Sequence, residues 1–220
     1  MKVAPNKKDI GDFFVSFGIL PLVFLVGSYL SFYYSINNAN ATKDYEMVNF
    51  FVETYGTKDE KFQDELVSSL SSKGLREVNL YAYSIDNSSL TSYYDRYGSE
   101  SDFIIFSKED LDDLFQEGEA TSVYDSFLPY SKEAKNELGI TSGQFYSSKG
   151  NDYAYLIHSA GDEAFNASSS WDKLFTFAKD GKTERSYYVL LNSSTPNFLS
   201  IDKTGKTDLG TEAFKWIMAR

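Results

Sequence analysis

The sequence has no cysteine and only 1 histidine among its 220 residues. Without cysteine the chain cannot form a disulfide framework, a thiolate nucleophile, a zinc–thiolate site or a lipidated N-terminal cysteine. It also lacks the P-loop, G-x-S-x-G, G-x-G-x-x-G and H-E-x-x-H motifs. These absences leave little catalytic chemistry, and we expect no enzyme activity, no cofactor and no bound metal.

Basic residues are scarce relative to acidic ones. The chain has 21 Lys and Arg against 32 Asp and Glu, which gives a net charge of -11. An acidic protein repels phosphate backbones and anionic lipid headgroups. The composition therefore argues against nucleic acid as a partner.

Residues 13–36 form a long, uncharged and mostly apolar run. About 20 residues suffice for a helix to cross a bilayer, so the run predicts a single transmembrane helix that acts as a signal anchor. Lys2, Lys7 and Lys8 precede it, and the positive-inside bias then places the N-terminus in the cytoplasm. We expect residues 1–12 to be cytoplasmic and everything after the helix to lie outside the cell.

A cleaved signal peptide is the alternative interpretation of this run. Ala39, Asn40 and Ala41 form an A-x-A-like pattern shortly after it, with Ala41 near the cleavage point. The apolar part of a signal peptide spans about 7 to 15 residues, however, and this run is longer. An uncleaved anchor is therefore favoured.

The remainder is predicted to be a short linker at residues 37–46 and one domain at residues 47–220. Clusters or alternations of β-branched and aromatic residues predict strands at 47–55, 75–85, 102–106, 153–158 and 186–191. Helical spacing and capping residues predict helices at 59–73, 90–97, 111–115, 131–138, 171–178 and 211–218. The region from about 116 to 150 is otherwise predicted to be irregular, because glycines interrupt it.

Strands that alternate with helices predict an α/β fold, with a mostly parallel or mixed sheet flanked by helices. Two capping details support the boundaries. Ser107 and Asp110 fit a capping box at the start of one helix, and Gly74 is placed to end another. The predicted core contains the apolar residues of the strands, namely Phe50, Phe51, Val78, Leu80, Ile104, Ile105, Leu156, Val189 and Leu190.

Two segments resemble the extracellular solute-binding proteins of ABC transporters. Residues 102–107 (DFIIFS), followed by a leucine-bearing helix, resemble the segment of that family in which a buried strand ends near the ligand cleft. Residues 170–174 (SWDKL) are similar to a helix start that is common in its carbohydrate-binding members. The resemblance implies one lobe of the family's two-lobed architecture. The chain departs from the family because it is too short for two lobes and has no lipidated cysteine.

The acidic and histidine side chains give weak catalytic signals. His158 has Ser159, Asp162 and Glu163 nearby, but neighbours at one strand end do not converge as a triad requires. A histidine bonded to backbone or water is the favoured interpretation. Asp110, Asp112 and Asp113 are explained by the helix dipole. A carboxylate-dependent surface hydrolase stays open as an alternative, because the separations of the many acids are not readable from sequence.

Tyrosine and phenylalanine are the abundant residues, with 17 and 18 copies. Rings with polar tips suit protein interfaces and ligand faces alike. The candidate ligand- or partner-binding residues are Tyr81, Tyr83, Tyr93, Tyr94 and Trp171. Half-buried core is the competing interpretation of these rings.

The predicted function is a membrane-anchored, extracytoplasmic binding or interaction module, accessory to an ABC-type uptake system. Its expected partners are the membrane, which it crosses once, and another membrane or surface protein such as transporter subunits. A receptor domain for a small solute such as a sugar is the alternative. The short linker favours docking onto a membrane partner.

Overall fold

The computed structural model describes residues 15, 19–53, 61–83, 94–117, 124–172, 174, 175, 177 and 184–220. The chain divides into two compact units, Met1–Thr42 and Lys43–Arg220. The predicted cytoplasmic segment 1–12 lies outside the described residues.

In the described part of the first unit, helix α1 spans Leu20–Asn40 and has a proline in its first turn. Its large apolar side chains are exposed on all sides, Phe24 at 77% and Leu25 at 66%. Among the described residues, no helix combines the length and the hydropathy needed to cross a membrane. The predicted transmembrane segment 13–36 starts in a part of the chain outside the described ranges, and it stays a prediction.

The described part of the second unit forms a seven-stranded mixed sheet with the order β2-β1-β3-β7-β6-β5, and β4 also pairs with β7. Its strands are β1 Met47–Glu53, β2 Glu77–Tyr83, β3 Phe103–Ser107, β4 Phe127–Leu128, β5 Phe145–Ser148, β6 Asn151–His158 and β7 Tyr187–Asn192. Strands β2, β1 and β3 are parallel, whereas β7 is antiparallel to both β3 and β6, and β5 is antiparallel to β6. The expected mixed sheet is confirmed, and its second half is antiparallel.

Helices cover both faces of this sheet. They are α2 Phe62–Leu70, α3 Lys108–Glu117, α4 Lys132–Leu138, α5 Glu163–Ser168 and α6 Leu209–Met218. Helices α2 and α6 pack on the face that contains Phe50 and Val52, and α3 packs on the face that contains Phe51. Alternate residues of β1 therefore enter two separate apolar cores, as the period of a strand requires.

The predicted core residues are buried, except for Leu80, which is partly buried and packs against the first core. Two helix boundaries also agree with the sequence. Gly74 has a φ of 100° and ends the 3-10 turn Ser71–Lys73 that extends α2. Ser107 accepts a hydrogen bond from the backbone N–H of Asp110 at 3.3 Å, so it caps α3 as predicted.

Two sequence predictions are wrong. Residues 171–178 do not form a helix in their described part; a turn follows Ser170, and the helix of this region is α5, which Asp162 caps by accepting from Phe165 N–H at 2.9 Å. Trp171 and Phe175 are buried in the first core, so their spacing reflects an irregular core segment. The region called irregular also contains β5, which pairs with β6.

Candidate functional site

The carboxyl ends of β1, β2, β3 and β6 lie at one edge of the sheet, together with the first residue of β7. This arrangement follows from the strand directions, because β6 and β3 are both antiparallel to β7. We call it the carboxyl edge, and it contains Glu53, Tyr83, Ser107, His158 and Tyr187. Strand β1 connects through α2 to β2 on one side, and β3 lies on its other side. In open α/β sheets, ligands bind outside such a reversal of strand order.

Glu53 ends β1 at this edge and is fully buried. Its Oε2 accepts a hydrogen bond from the backbone N–H of Ser107 at 3.1 Å. Burial, followed by hydrogen bonding to and repulsion from the Asp110 carboxylate, raises the pKa of Glu53 to about 8. The Ser107 N–H and the Arg185 charge lower the pKa of Glu53, but by less. Glu53 is therefore mostly protonated at neutral pH.

Asp110 lies in the first turn of α3, and it is held beside Glu53 by Ser107 and by Arg185, which precedes β7. The Ser107 hydroxyl donates a hydrogen bond to Asp110 Oδ2. Arg185 Nη1 lies 3.5 Å from the same oxygen and 3.4 Å from Ser107 Oγ. The helix cap and the arginine together fix a carboxylate next to a buried carboxylic acid.

Tyr187 and His158 continue the row of polar groups across the sheet. Tyr187 pairs in register with Ser107 on one side and with His158 on the other. His158 Nδ1 bonds the Asp172 carboxylate, and its Nε2 lies 3.3 Å from Glu184 Oε1. The expected backbone or water partner of His158 is thus replaced by carboxylates.

Two buried polar atoms of this row have no partner among the described residues: Glu53 Oε1 and the Tyr187 hydroxyl. His158 Nε2 makes no hydrogen bond with good geometry, but it lies 3.3 Å from the Glu184 carboxylate. Burial and the nearby Glu53 carboxyl both raise the pKa of Tyr187. A buried polar group without a partner costs roughly 1–3 kcal/mol. The two atoms lie on β1 and β7, the strands that flank β3, and together they are a stronger functional signal than one.

The charges at this edge favour particular ligands. The carboxylates of Asp110, Asp172 and Glu184 outnumber the Arg185 guanidinium, even when His158 carries a proton. A cationic or uncharged ligand fits such surroundings better than an anion. Within the described ranges, no group of three or more His, Asp or Glu side chains could hold a metal ion.

The opposite edge of the sheet contains a second buried acid. Asp102 accepts hydrogen bonds from the Asn49 N–H at 2.8 Å and from Asn197 Nδ2 at 3.0 Å. Burial raises its pKa to about 6 despite these donors. A cavity of about 380 Å³ adjoins it, with Tyr81 and Glu100 in its wall. Because the Asp102 oxygens are partnered, we interpret this acid as a structural link between β1 and the loop after β7.

The predicted tyrosines cluster on the face of the second core. The ring of Tyr97 stacks on those of Tyr81 and Tyr83, with centroid distances of 4.8 Å and 5.8 Å. Tyr94 packs edge-on against Phe51 at 5.7 Å. These rings are half-buried and pack against other aromatic rings, while Tyr93 lies outside the described residues. Their binding role stays a prediction.

Trp171 is not brought together with the tyrosines. It is 1% exposed and belongs to the first core, whereas Tyr81, Tyr83 and Tyr94 pack against the second. The centroid of its ring lies 5.5 Å from that of Phe214 and 6.0 Å from that of Phe103. The sequence prediction had grouped residues from opposite faces of the sheet.

The sequence analysis missed Glu53, Arg185 and Tyr187 as site residues. Glu53 did carry a signal, since it is the one acid in the otherwise apolar and amide-bearing strand β1. Arg185 and Tyr187 meet Glu53 only through the pairing of β3 with β7, which no local pattern encodes. Searches of protein-family models and of curated proteins find no match for this chain.

Proposed function

We propose that this chain is an extracytoplasmic binding module, held at the cell membrane by residues 13–36, that takes a small polar solute at the carboxyl edge. The observation that carries the proposal is the buried acid Glu53, whose Oε1 and whose neighbour, the Tyr187 hydroxyl, have no hydrogen-bond partner among the described residues. Such atoms are rare in folded proteins and call for a specific explanation. Glu53 ends β1, between β2 and β3, and open α/β sheets bind ligands outside such a reversal of strand order.

The charges at the carboxyl edge indicate which class of solute binds there. Three carboxylates face one guanidinium here, and Glu53 adds a fourth acid that is neutral when protonated. A solute with a cationic or hydrogen-bond-donating group would offset these charges. An anionic solute would be repelled by the same groups.

The proposed anchor is supported by the sequence and by the exposure of α1. Residues 13–36 carry no charge, and Lys2, Lys7 and Lys8 precede them. The described part of the run exposes large apolar side chains, such as Phe24 and Leu25. We propose a cytoplasmic N-terminus and an extracellular domain, according to the positive-inside bias.

We further propose that the module serves an ABC-type uptake system and acts by binding, not by catalysis. The support for the first part is the resemblance of residues 102–107 and 170–174 to solute-binding proteins, together with the short linker to the membrane. The support for the second part is the setting of His158. Its two ring nitrogens face the Asp172 and Glu184 carboxylates, an arrangement that does not activate a serine.

A thermal-shift screen of the full chain in lipid nanodiscs tests the binding site. The panel contains cationic, neutral and anionic solutes of similar size. We expect a cationic or neutral solute to raise the midpoint, and Glu53→Gln to reduce that shift. The matched control is Glu109→Gln, the same change at an exposed residue near the same edge. Equal loss of the shift in both variants, or stabilisation by anions alone, would refute the site.

Crosslinking in intact membranes tests the partner. We expect ABC transporter subunits to be recovered with the wild-type chain. If neither transporter subunits nor any stabilising solute is found, the proposed function is wrong. Transporter subunits without any stabilising solute would support docking in place of solute capture.

A further inference from the structure

A cavity lies at the edge of the sheet opposite the carboxyl edge, where β1 and β3 begin and β7 ends. Its volume is about 380 Å³, and its wall is formed by the start of β1, by Tyr81 of β2, by the residues before β3 and by the loop after β7. Pockets that hold small ligands have volumes of this order. The wall shares no residue with the carboxyl edge, so this cavity is a separate candidate site.

The asparagine side chains of the wall turn their N–H donors towards the protein. Asn197 Nδ2 donates to Met47 O at 2.8 Å and to Asp102 Oδ1 at 3.0 Å. Asn49 Nδ2 donates to Glu100 O at 3.3 Å. These bonds fix the backbone around the cavity and use both hydrogens of the Asn197 amide. The groups left to a ligand are therefore mainly oxygen acceptors.

Two of these acceptors are the exposed carboxylates of Asp44 and Glu100, which both belong to the wall. The ion pairs among the described residues all use other carboxylates. Burial, followed by the Glu77, Tyr97 and Glu100 side chains, raises the pKa of the Tyr81 hydroxyl. The wall around Tyr81 therefore has a negative potential, which attracts a cation.

Asp102 adds a buried negative charge behind this wall. It is 1% exposed, and the groups that donate hydrogen bonds to it, on Asn49, Thr195 and Asn197, are neutral. Burial raises its pKa to about 6, so the carboxylate is mostly ionised at neutral pH. A buried charge is normally paired with an opposite charge, and no described cationic side chain acts on Asp102. A cation in the cavity would stabilise Asp102 through its electric field, without touching it.

The lysines that are close in the chain are engaged elsewhere. Lys43 Nζ and Lys206 Nζ lie over the ring of Tyr45, at 5.8 Å and 5.6 Å from its centroid. The described residues that line the cavity include no Lys, Arg or His. Half-buried Met47 and Pro196 also give the wall apolar surface. A ligand with a cationic head and a short apolar body matches both features.

We infer that this cavity binds a small aliphatic ammonium compound. The ammonium group donates hydrogen bonds to a carboxylate of the wall, Glu100 or Asp44, and the charge of Asp102 attracts it. An ammonium group has three donors and no acceptor, which complements a wall that retains mainly acceptors. The alkyl part packs against Met47 and Pro196. The site does not rest on the proposed function, which concerns the other edge of the sheet.

Butylammonium, butyramide and butyrate are matched probes, because they are similar in size and differ in charge. Ligand-observed NMR on the full chain, in micelles of an uncharged detergent, measures their binding. We expect butylammonium to bind about tenfold more tightly than butyramide, and butyrate to bind more weakly than both. Absence of butylammonium binding, or equal binding of butyramide, would overturn the inference.

Glu100→Gln and Asp44→Asn remove the two exposed charges of the wall and leave the core intact. We expect each change to lower the affinity for butylammonium about fivefold, and the double variant to lose more than either. The matched control is Glu137→Gln, at an exposed residue of α4 outside the wall, which changes the net charge equally. Equal losses in Glu100→Gln and Glu137→Gln would show attraction by net charge alone and contradict the site.

Glu53→Gln locates the bound amine, because the carboxyl edge also favours cations. A loss of affinity in Glu100→Gln that Glu53→Gln does not reproduce would support the cavity. A loss in Glu53→Gln with full binding in Glu100→Gln would place the amine at the carboxyl edge. That result would overturn this inference while supporting the proposed function, so the two can fail separately.

Discussion

Glu53 Oε2 accepts the backbone N–H of Ser107 at 3.1 Å, although the two residues are 54 positions apart. This bond joins the end of β1 to the cap of α3. The same serine bonds Asp110, so the protonation of Glu53, the cap and the Asp110 carboxylate are physically linked.

Glu53→Gln should remove a pH dependence of stability. The pKa of Glu53 is raised from 4.5 to about 8 on folding. A raised folded pKa gives stability that is complete below the unfolded pKa and is lost as pH rises through the folded one. The wild-type domain 43–220 should therefore lose up to about 1.4 kcal/mol per pH unit between the two values. Urea unfolding of wild type and variant across this range measures the difference.

Asp102 also contributes to the pH dependence of stability below pH 6, because its pKa is raised from 3.8 to about 6. The interval from pH 6 to pH 8 isolates Glu53. There we expect the wild type to lose stability and the Gln variant to lose markedly less. The Arg185 and Asp110 charges that face Glu53 are present in both proteins. Parallel pH curves would show that Glu53 does not titrate in this interval.

The sequence predicts much of this fold and little of its candidate site, for a physical reason. The strands with buried residues such as Ile104, and the caps at Ser107 and Gly74, are encoded by local period and capping chemistry. Helix 171–178 was mispredicted because a core segment rich in aromatic residues imitates helical spacing. The carboxyl edge was missed because Arg185 reaches Asp110 only when β7 inserts beside β3. Such long-range pairing has no local signature.

Ser107→Ala should both destabilise the domain and weaken solute binding. The change removes the cap of α3 and the hydroxyl that positions Asp110. Loss of an N-cap costs about 1 kcal/mol. Ser131→Ala is a matched control, because Ser131 caps α4 by accepting from Ala134 N–H at 3.1 Å. Urea midpoints should fall to a similar extent in both variants, whereas the ligand-induced thermal shift should fall only with Ser107→Ala. If the ligand-induced thermal shift were equal in the two variants, Ser107 would have no role in solute binding.

Asn197→Ala should be strongly destabilising at the opposite edge. Its Nδ2 donates to Asp102 Oδ1 at 3.0 Å and to Met47 O at 2.8 Å, and the side chain is buried. Removing it leaves buried acceptors without a donor, a cost of roughly 2–4 kcal/mol. Asn136→Ala, at an exposed helix position, should change stability by less than about 0.5 kcal/mol.

The penalty of Asn197→Ala should also depend on pH. The lost donor stabilised the charged form of Asp102, so the variant's Asp102 pKa rises further above 6. When the folded pKa of an acid rises further, the protein loses more stability at any pH above that pKa. It loses no additional stability at a pH below the pKa of the unfolded state. The difference between variant and wild type should therefore be larger at pH 8 than at pH 4. A constant difference would mean that Asp102 is not the partner that matters.

The proposed anchor predicts a particular response to protease. Residues 13–36 are uncharged, and the basic residues Lys2, Lys7 and Lys8 lie on their N-terminal side, so the domain should be outside the cell. Protease added to intact cells, with any wall removed, should destroy a C-terminal tag and spare an N-terminal one. Cleavage near Ala41 would instead release the C-terminal tag from the membrane without protease, which membrane fractionation detects. Moving Lys7 and Lys8 to positions after residue 36 should weaken or invert the orientation, because the bias depends on flanking Lys and Arg. Protection of the C-terminal tag in the wild-type protein would show that the domain does not face the outside, and the proposed extracytoplasmic binding role would fall with it.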